Sequence, residues 1–212
     1  MPPKIKTAED REHLRTLILD AARSLFVERG IEAVSMREIA KKINYSATTL
    51  YNHFVDKEAL LQAVCDTDFL ALAQGMQEIM QIPDLIERLK ALYLGYARFA
   101  LQYPNHYRLM FMTPHPNCHP DASSIEQGNA EQDAYAQLQQ IVRAVYAADL
   151  FRADIGECEL IVQTLWAGVH GVSSMEITLG KDQWVAWTPI EDRLNLMLDV
   201  MLRGSLRYPD RI

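Results

Sequence analysis

The sequence predicts an all-α chain in two parts, a three-helix domain over residues 1–55 and a helical bundle over residues 56–212. Three observations predict it. Apolar residues recur at spacings of three and four along most of the chain. Beyond Pro83 there is no strand or hairpin signal. The stretch Ser35–Lys57, SMREIAKKINYSATTLYNHFVDK, reads as two short helices separated by a very tight turn.

The first nine or so residues, with Pro2, Pro3, Lys4 and Lys6, are either plain disorder or a short basic arm able to touch a phosphate or the minor groove. From Asp10 to Glu28 the residues Leu14, Leu17, Ile18, Ala21, Ala22, Leu25 and Phe26 make one amphipathic helix ended by Gly30. Arg15 near its start either reaches backbone phosphate or is a solvated charge.

Ser35 followed by Glu38 is a capping box, so a helix begins at Met36. Met36, Ile39, Ala40 and Ile43 form its apolar face, and Arg37, Lys41 and Lys42 point outward. Asn44 stands where the chain turns, because among residues with a side chain it enters the left-handed region at modest cost. Ser46 caps a second helix, expected to run two turns over Ala47–Phe54 with Leu50 and Phe54 on its inner side. Ala47, Thr48 and Thr49 at its N-terminal end are small or polar enough to meet base edges in a DNA major groove, while Tyr51 and His53 suit phosphate oxygens. The arrangement is that of a helix-turn-helix.

From Ile18 to Val64 the runs ILDAARSLFVERG, VSMREIAKKI and SATTLYNHFVDKEALL resemble the DNA-binding domain of the TetR family of bacterial transcription regulators. The resemblance implies that Ser35, Arg37, Thr48, Thr49, Tyr51, His53 and Lys57 occupy positions from which family members touch DNA, with Tyr51, His53 and Lys57 mostly on phosphate. Asn44 and Thr48 depart from the glycines common there, and the added hydroxyl and methyl of Thr48 bear on which bases are read.

After Asp56, an N-cap, a helix through Leu60, Leu61, Val64, Phe69, Leu72 and Met76 is expected to end near Pro83 and to join the two halves. Further helices are expected over Asp84–Tyr103, Asn105–Met112, Asn129–Leu150, Ile155–Leu179 and Ile190–Leu206, the last with Pro189 in its first turn. Thr113–Gly128 reads as an exposed loop with a helix start near Ser123, and Gly180–Thr188 as a connection carrying Trp184 and Trp187. The runs Tyr103–Phe111 and Trp166–Gly171 resemble the two signatures of a regulatory domain of part of the TetR family, called WHG.

In this half Tyr93, Tyr96, Phe99, Tyr103, Tyr107, Met110, Phe111, Trp166, His170 and Met175 concentrate aromatic and thioether groups that suit an apolar ligand cavity with a few polar tips. Any one of them taken singly also suits solid core, and His170 reads equally as a polar anchor or a core histidine. Gly168 and Gly171 in mid-helix each cost about 1 kcal/mol relative to alanine, which close helix approach would offset. The last two long helices, with Leu165, Val169 and Val172 in one and Leu194, Met197, Leu198, Met201 and Leu202 in the other, are expected to pair with a second copy. A two-fold dimer sets two recognition helices about 34 Å apart and reads a palindrome.

Composition limits the rest. The net charge of −7 opposes DNA binding, but residues 1–60 hold ten Lys/Arg and nine Asp/Glu, so the acidity lies in the C-terminal part. Three cysteines, Cys65, Cys118 and Cys158, fit free thiols in a reducing compartment. With no run of about 18 uncharged apolar residues, the expectation is a cytoplasmic protein with no membrane partner. His115, Cys118 and His119 lack a fourth obvious ligand, so no metal and no cofactor is expected, and no catalytic constellation is evident. The reading is a homodimeric regulator, a repressor released from operator DNA by a small-molecule effector. The alternative is a helical small-molecule or partner-binding protein with a vestigial DNA reader.

Overall fold

Short polar side chains decide where the helices begin. The computed structural model of the chain describes residues 7–113 and 123–207. Thr7 and Asp10 exchange side-chain and backbone hydrogen bonds of 3.0 and 3.1 Å. Helix α1, Ala8–Arg29, therefore starts two residues before the expected Asp10 and stops at Gly30, whose φ of 81° is left-handed. Helix α2 is Met36–Lys42 and α3 is Ala47–Tyr51. The second of these is shorter than the two turns expected, because the N–H groups of His53 and Phe54 both turn back to Leu50 O at 2.9 Å. Helix α4, Lys57–Gly75, opens on Asp56, whose carboxylate accepts from Ala59 N at 2.7 Å. It ends at Gly75 rather than near Pro83, and a 3-10 turn at Ile79–Gln81 follows.

Helix α5 is Leu85–Gln102, capped by Asp84, and α6 is Pro104–Met112. The expected helix start near Ser123 is absent. Ser123 and Ser124 instead donate side-chain and backbone hydrogen bonds of 2.7–2.8 Å to the buried Asp66 carboxylate. Helix α7 covers Ala134–Ala147 and begins five residues after Asn129. Asn129 accepts from Glu131 N, and Asp133 accepts from Gly128 N, Tyr135 N and Ala136 N, so these side chains hold a turn and then a cap where helix was expected. Helix α8, Cys158–Leu179, starts after Gly156, whose φ is 101°. Helix α9, Ile190–Ser205, has Pro189 as its N-cap rather than inside the first turn. Among the described residues the one extended pairing is a single bridge, Phe151 to Leu206.

The chain divides into two compact units, Met1–Phe69 with Asn105–Ile125, and Leu70–Pro104 with Glu126–Ile212. The first unit extends past residue 55 because Leu60, Leu61, Val64 and Cys65 of α4 are buried in one core with Leu14, Ile18, Phe26, Ile39 and Leu50, and Leu109 of α6 closes it. In the second unit α5, α7 and α8 pack together and α9 lies along α8. Gly168 is where α8 and α9 close: a methyl there would fall 2.9 Å from Met201 Cε and 3.2 Å from Met197 Sδ, whereas one at Gly171 would meet nothing within 4 Å. Close approach thus accounts for the first glycine and not the second. The basic residues before Thr7 and the group His115, Cys118 and His119 lie outside the described residues.

Candidate nucleic-acid interface and core site

Two caps and one turn build the candidate reading surface. Glu38 N donates to Ser35 Oγ at 3.3 Å. The Glu38 carboxylate accepts from Ser35 N at 2.9 Å and Ser35 Oγ at 2.8 Å, and Arg29 Nη1 reaches its other oxygen at 2.8 Å. These bonds from Ser35, then Arg29, push the Glu38 carboxyl down to about 2. Asn44 has φ of 60°, and Tyr45 N closes the turn on Ala40 O at 2.9 Å. Ser46 then caps α3, with Thr49 N donating to Ser46 Oγ at 3.1 Å.

The predicted DNA-facing residues fall into three sets. Ser35, Arg37, Ser46, Thr48 and Tyr51 are exposed, Tyr51 at 52%. Ala47 packs partly on the core, and the Thr49 hydroxyl lies 2.9 Å from Ser46 Oγ, so Thr48 presents the freer hydroxyl. Lys57 is half-buried with Nζ donating to Ile31 O at 2.9 Å, which ties α4 to the segment after α1. Arg37 and Lys41 are exposed with no ion pair among the described residues, while Lys42 bonds Ser24 Oγ at 2.7 Å. The Arg15 guanidinium lies over the Phe54 ring, 4.7 Å from its centre. Burial, with Arg11 and Arg15 nearby, holds the His53 imidazole below its ordinary range.

The same unit contains a buried charge cluster that the sequence reading did not single out. Asp68 on α4, 1% exposed, accepts from Arg23 Nε at 2.9 Å and Nη2 at 2.6 Å, and pairs with His106 Nδ1 of α6 at 3.0 Å. Burial alone would lower the Arg23 pKa, but Asp68 and Asp20 outweigh it and raise it. A signal was present: Asp68 continues the spacing of Leu61, Val64 and Cys65 toward Leu72, a carboxylate on an otherwise apolar stripe.

The predicted ligand residues do not all share one place. Tyr107, Met110 and Phe111 belong to the first unit, where Phe111 meets Phe69 edge-on at 5.5 Å. In the second unit Tyr96 OH lies 3.2 Å from His170 Nδ1, and the Trp166 ring is tilted against Tyr135 at 5.7 Å and edge-on to His170 at 6.4 Å. Burial lowers the His170 pKa and raises that of the buried Tyr93 phenol. Phe99 meets Tyr103 at 5.4 Å, but Tyr103 and Met175 are 41% and 46% exposed. None of these residues lines a separate apolar groove of about 320 Å³ formed by Ile155, Leu160, Ile161, Leu165, Val200 and Met201, among others.

The residues expected to pair with a second copy are mostly used within the chain. Leu165, Val169, Leu194, Leu198 and Leu202 are each 6% exposed or less, because α8 and α9 pack on each other. The outer faces show Leu160 and Met175 of α8 and Leu196 and Val200 of α9 instead.

Residues 18–64 match the family described as "Bacterial regulatory proteins, tetR family", and residues 89–201 match "Tetracyclin repressor-like, C-terminal domain". Over 50 residues the chain is 52% identical to the HTH-type transcriptional regulator UidR of Escherichia coli K12, which is 24% of this chain and 26% of that protein. This match spans about a quarter of the curated relative. Two solved structures share the fold along nearly the whole chain. A TetR family transcription regulator from Marinobacter aquaeolei VT8 has TM-score 0.75 at 19% identity, covering 94% of this chain and 99% of that one. A protein of unknown function from Rhodococcus sp. RHA1 has TM-score 0.73 at 22% identity, covering 98% and 100%.

Proposed function

We propose that this chain, which belongs to the TetR family of bacterial regulatory proteins, is a homodimeric repressor that leaves a palindromic operator when a small-molecule effector enters its C-terminal helical unit. One observation carries the reading: a capped, five-residue α3 whose inner side chain Leu50 is fully buried while Thr48 and Tyr51 stand out to solvent. A short rigid tip of that kind suits base edges with its threonine and phosphate oxygens with its phenol. The exposed apolar residues of α8 and α9 support self-association, which would set two such tips one helical turn of DNA apart. Helix α4 has residues in both units. A tilt of α4 on effector binding is the proposed link between sites, and linkage requires each ligand to weaken the other equally.

The experiment is selection of bound duplexes from a random pool, followed by titration of the selected duplex with wild type, Tyr51→Phe and Thr48→Ala. Tyr51→Phe should weaken binding to selected and scrambled duplexes alike. Thr48→Ala should alter which base is preferred with less change in affinity for scrambled DNA. Recovery of no sequence above the salt-sensitive background would reject the regulator reading in favour of a binding protein with an idle reader.

A further inference from the structure

The second unit buries polar atoms but no charge. Among its described residues the buried polar side chains are Gln137, Ser173 and Ser205. Ser205 Oγ is satisfied by Leu202 O at 3.2 Å and Gln137 Nε2 by Ala73 O at 2.9 Å and Ala130 O at 2.8 Å, while Gln137 Oε1 and, in the connection before α9, Trp187 Nε1 have no partner among the described residues. Ser173 Oγ and the Tyr93 hydroxyl have no hydrogen-bond partner among the described residues, although Ser173 is 0% and Tyr93 2% exposed. A buried hydroxyl without a partner is costly, and native cores rarely keep two without a use for them.

The position of the two is specific. Tyr96 of α5 and His170 of α8 mark where these helices meet. Tyr93 lies one turn before Tyr96, and Ser173 one turn after His170, each on the same face of its helix. We propose that Tyr93 and Ser173 are the polar anchors of the effector site, and that the effector is an uncharged, largely apolar molecule with one carbonyl or hydroxyl oxygen. The assignment rests on the effector-binding reading of this unit and adds the chemistry of the ligand and the role of Ser173.

The absence of a counter-charge decides against an ion. Of the charged groups nearest in sequence, Glu176 pairs with Arg193, Lys90 pairs with Glu87, and Arg98 is exposed to solvent. Burial favours the neutral form of His170 as well. A carboxylate or ammonium entering this core would lose its hydration with nothing of opposite sign to receive it, whereas a ketone loses little and gains a hydroxyl donor.

The test uses the full chain and four matched probes by isothermal calorimetry at neutral pH: naphthalene, 2-acetylnaphthalene, 2-naphthoate and 2-naphthylmethylammonium. The ketone should bind at least tenfold tighter than either ion. Tyr93→Phe and Ser173→Ala should each weaken the ketone roughly threefold to tenfold and leave naphthalene unchanged. A second measurement needs no ligand. In the free protein both variants should keep or raise the thermal midpoint, because the hydroxyls removed bond to nothing. A midpoint lowered by several degrees in both means that the hydroxyls are already partnered, by buried water for instance, and overturns the assignment. An ion that binds as tightly as the ketone, and depends on Tyr96 or His170 but not on Tyr93 or Ser173, also overturns it while leaving the effector-binding reading intact. Binding of none of the four probes counts against both.

Discussion

Removing Asp68 tests how the first unit is held together. Its carboxylate is 1% exposed and takes two hydrogen bonds from Arg23 and one from His106. Asp68→Leu fills the space but leaves the Arg23 guanidinium, itself 5% exposed, with Asp20 alone, whose side chain is 61% exposed. Removing one partner of a buried pair costs about 3–5 kcal/mol. For a chain of this length, 1 kcal/mol corresponds to about 2–4 °C, so the midpoint should fall by roughly 6–20 °C. Arg23→Met strands the carboxylate instead and should cost about as much. The double variant strands neither, and replacing a buried pair by apolar residues is often neutral, so it should recover most of the loss. His106 is partly exposed and can turn to water. The assay is thermal unfolding followed by far-ultraviolet circular dichroism, because Trp166, Trp184 and Trp187 all lie in the second unit and do not report on the first. Single variants that cost less than about 1 kcal/mol, or a double variant that costs the sum, would refute the argument from an uncompensated buried charge.

Three further outcomes follow from single groups. The Glu38 carboxyl is held at about 2, below its ordinary value, so its contribution to stability is fully present above about pH 4.5 and is lost as pH falls toward 2; Glu38→Gln should flatten urea midpoints across that window, and an unchanged slope would contradict the capping box. His53 is depressed by burial and by Arg11 and Arg15 in the free protein. A DNA phosphate beside it would raise it, so duplex binding should take up a proton and tighten as pH falls from 8 to 6; His53→Gln should remove that dependence in a fluorescence anisotropy titration. Gly171→Ala meets nothing within 4 Å and should gain about 1 kcal/mol from helix propensity. Gly168→Ala must displace Met201 and Met197 and should lower the thermal midpoint measured by calorimetry.

The parts of this molecule that local chemistry dictates were legible in sequence. Ser35 with Glu38, Asn44 at the turn and Ser46 as a cap all act where their residue types say they should, because each satisfies backbone groups within a few positions of itself. Boundaries went astray where two local devices compete. The turn after Gly128 is captured by Asn129 and Asp133 before helix can form, although the apolar period runs through it. The candidate interface was legible in kind but not in detail: that Lys57 turns to Ile31 O and Arg15 covers Phe54 depends on segments distant along the chain. The core site was the least legible. Ser173 looks like any small helical residue until the burial of α8 is known, and nothing in the local pattern of Tyr107 says that it falls in the first unit.

Leu109 and His106 of α6 also bear on protein engineering. A chimera that grafts residues 1–69 onto another regulator would carry Asp68 and Arg23 but leave behind the helix that supplies their third partner and the leucine that seals the hydrophobic interior. Sensor builders who want to transplant this reader should therefore move two pieces of sequence, residues 1–69 and α6, rather than cut once at the junction the linear order suggests.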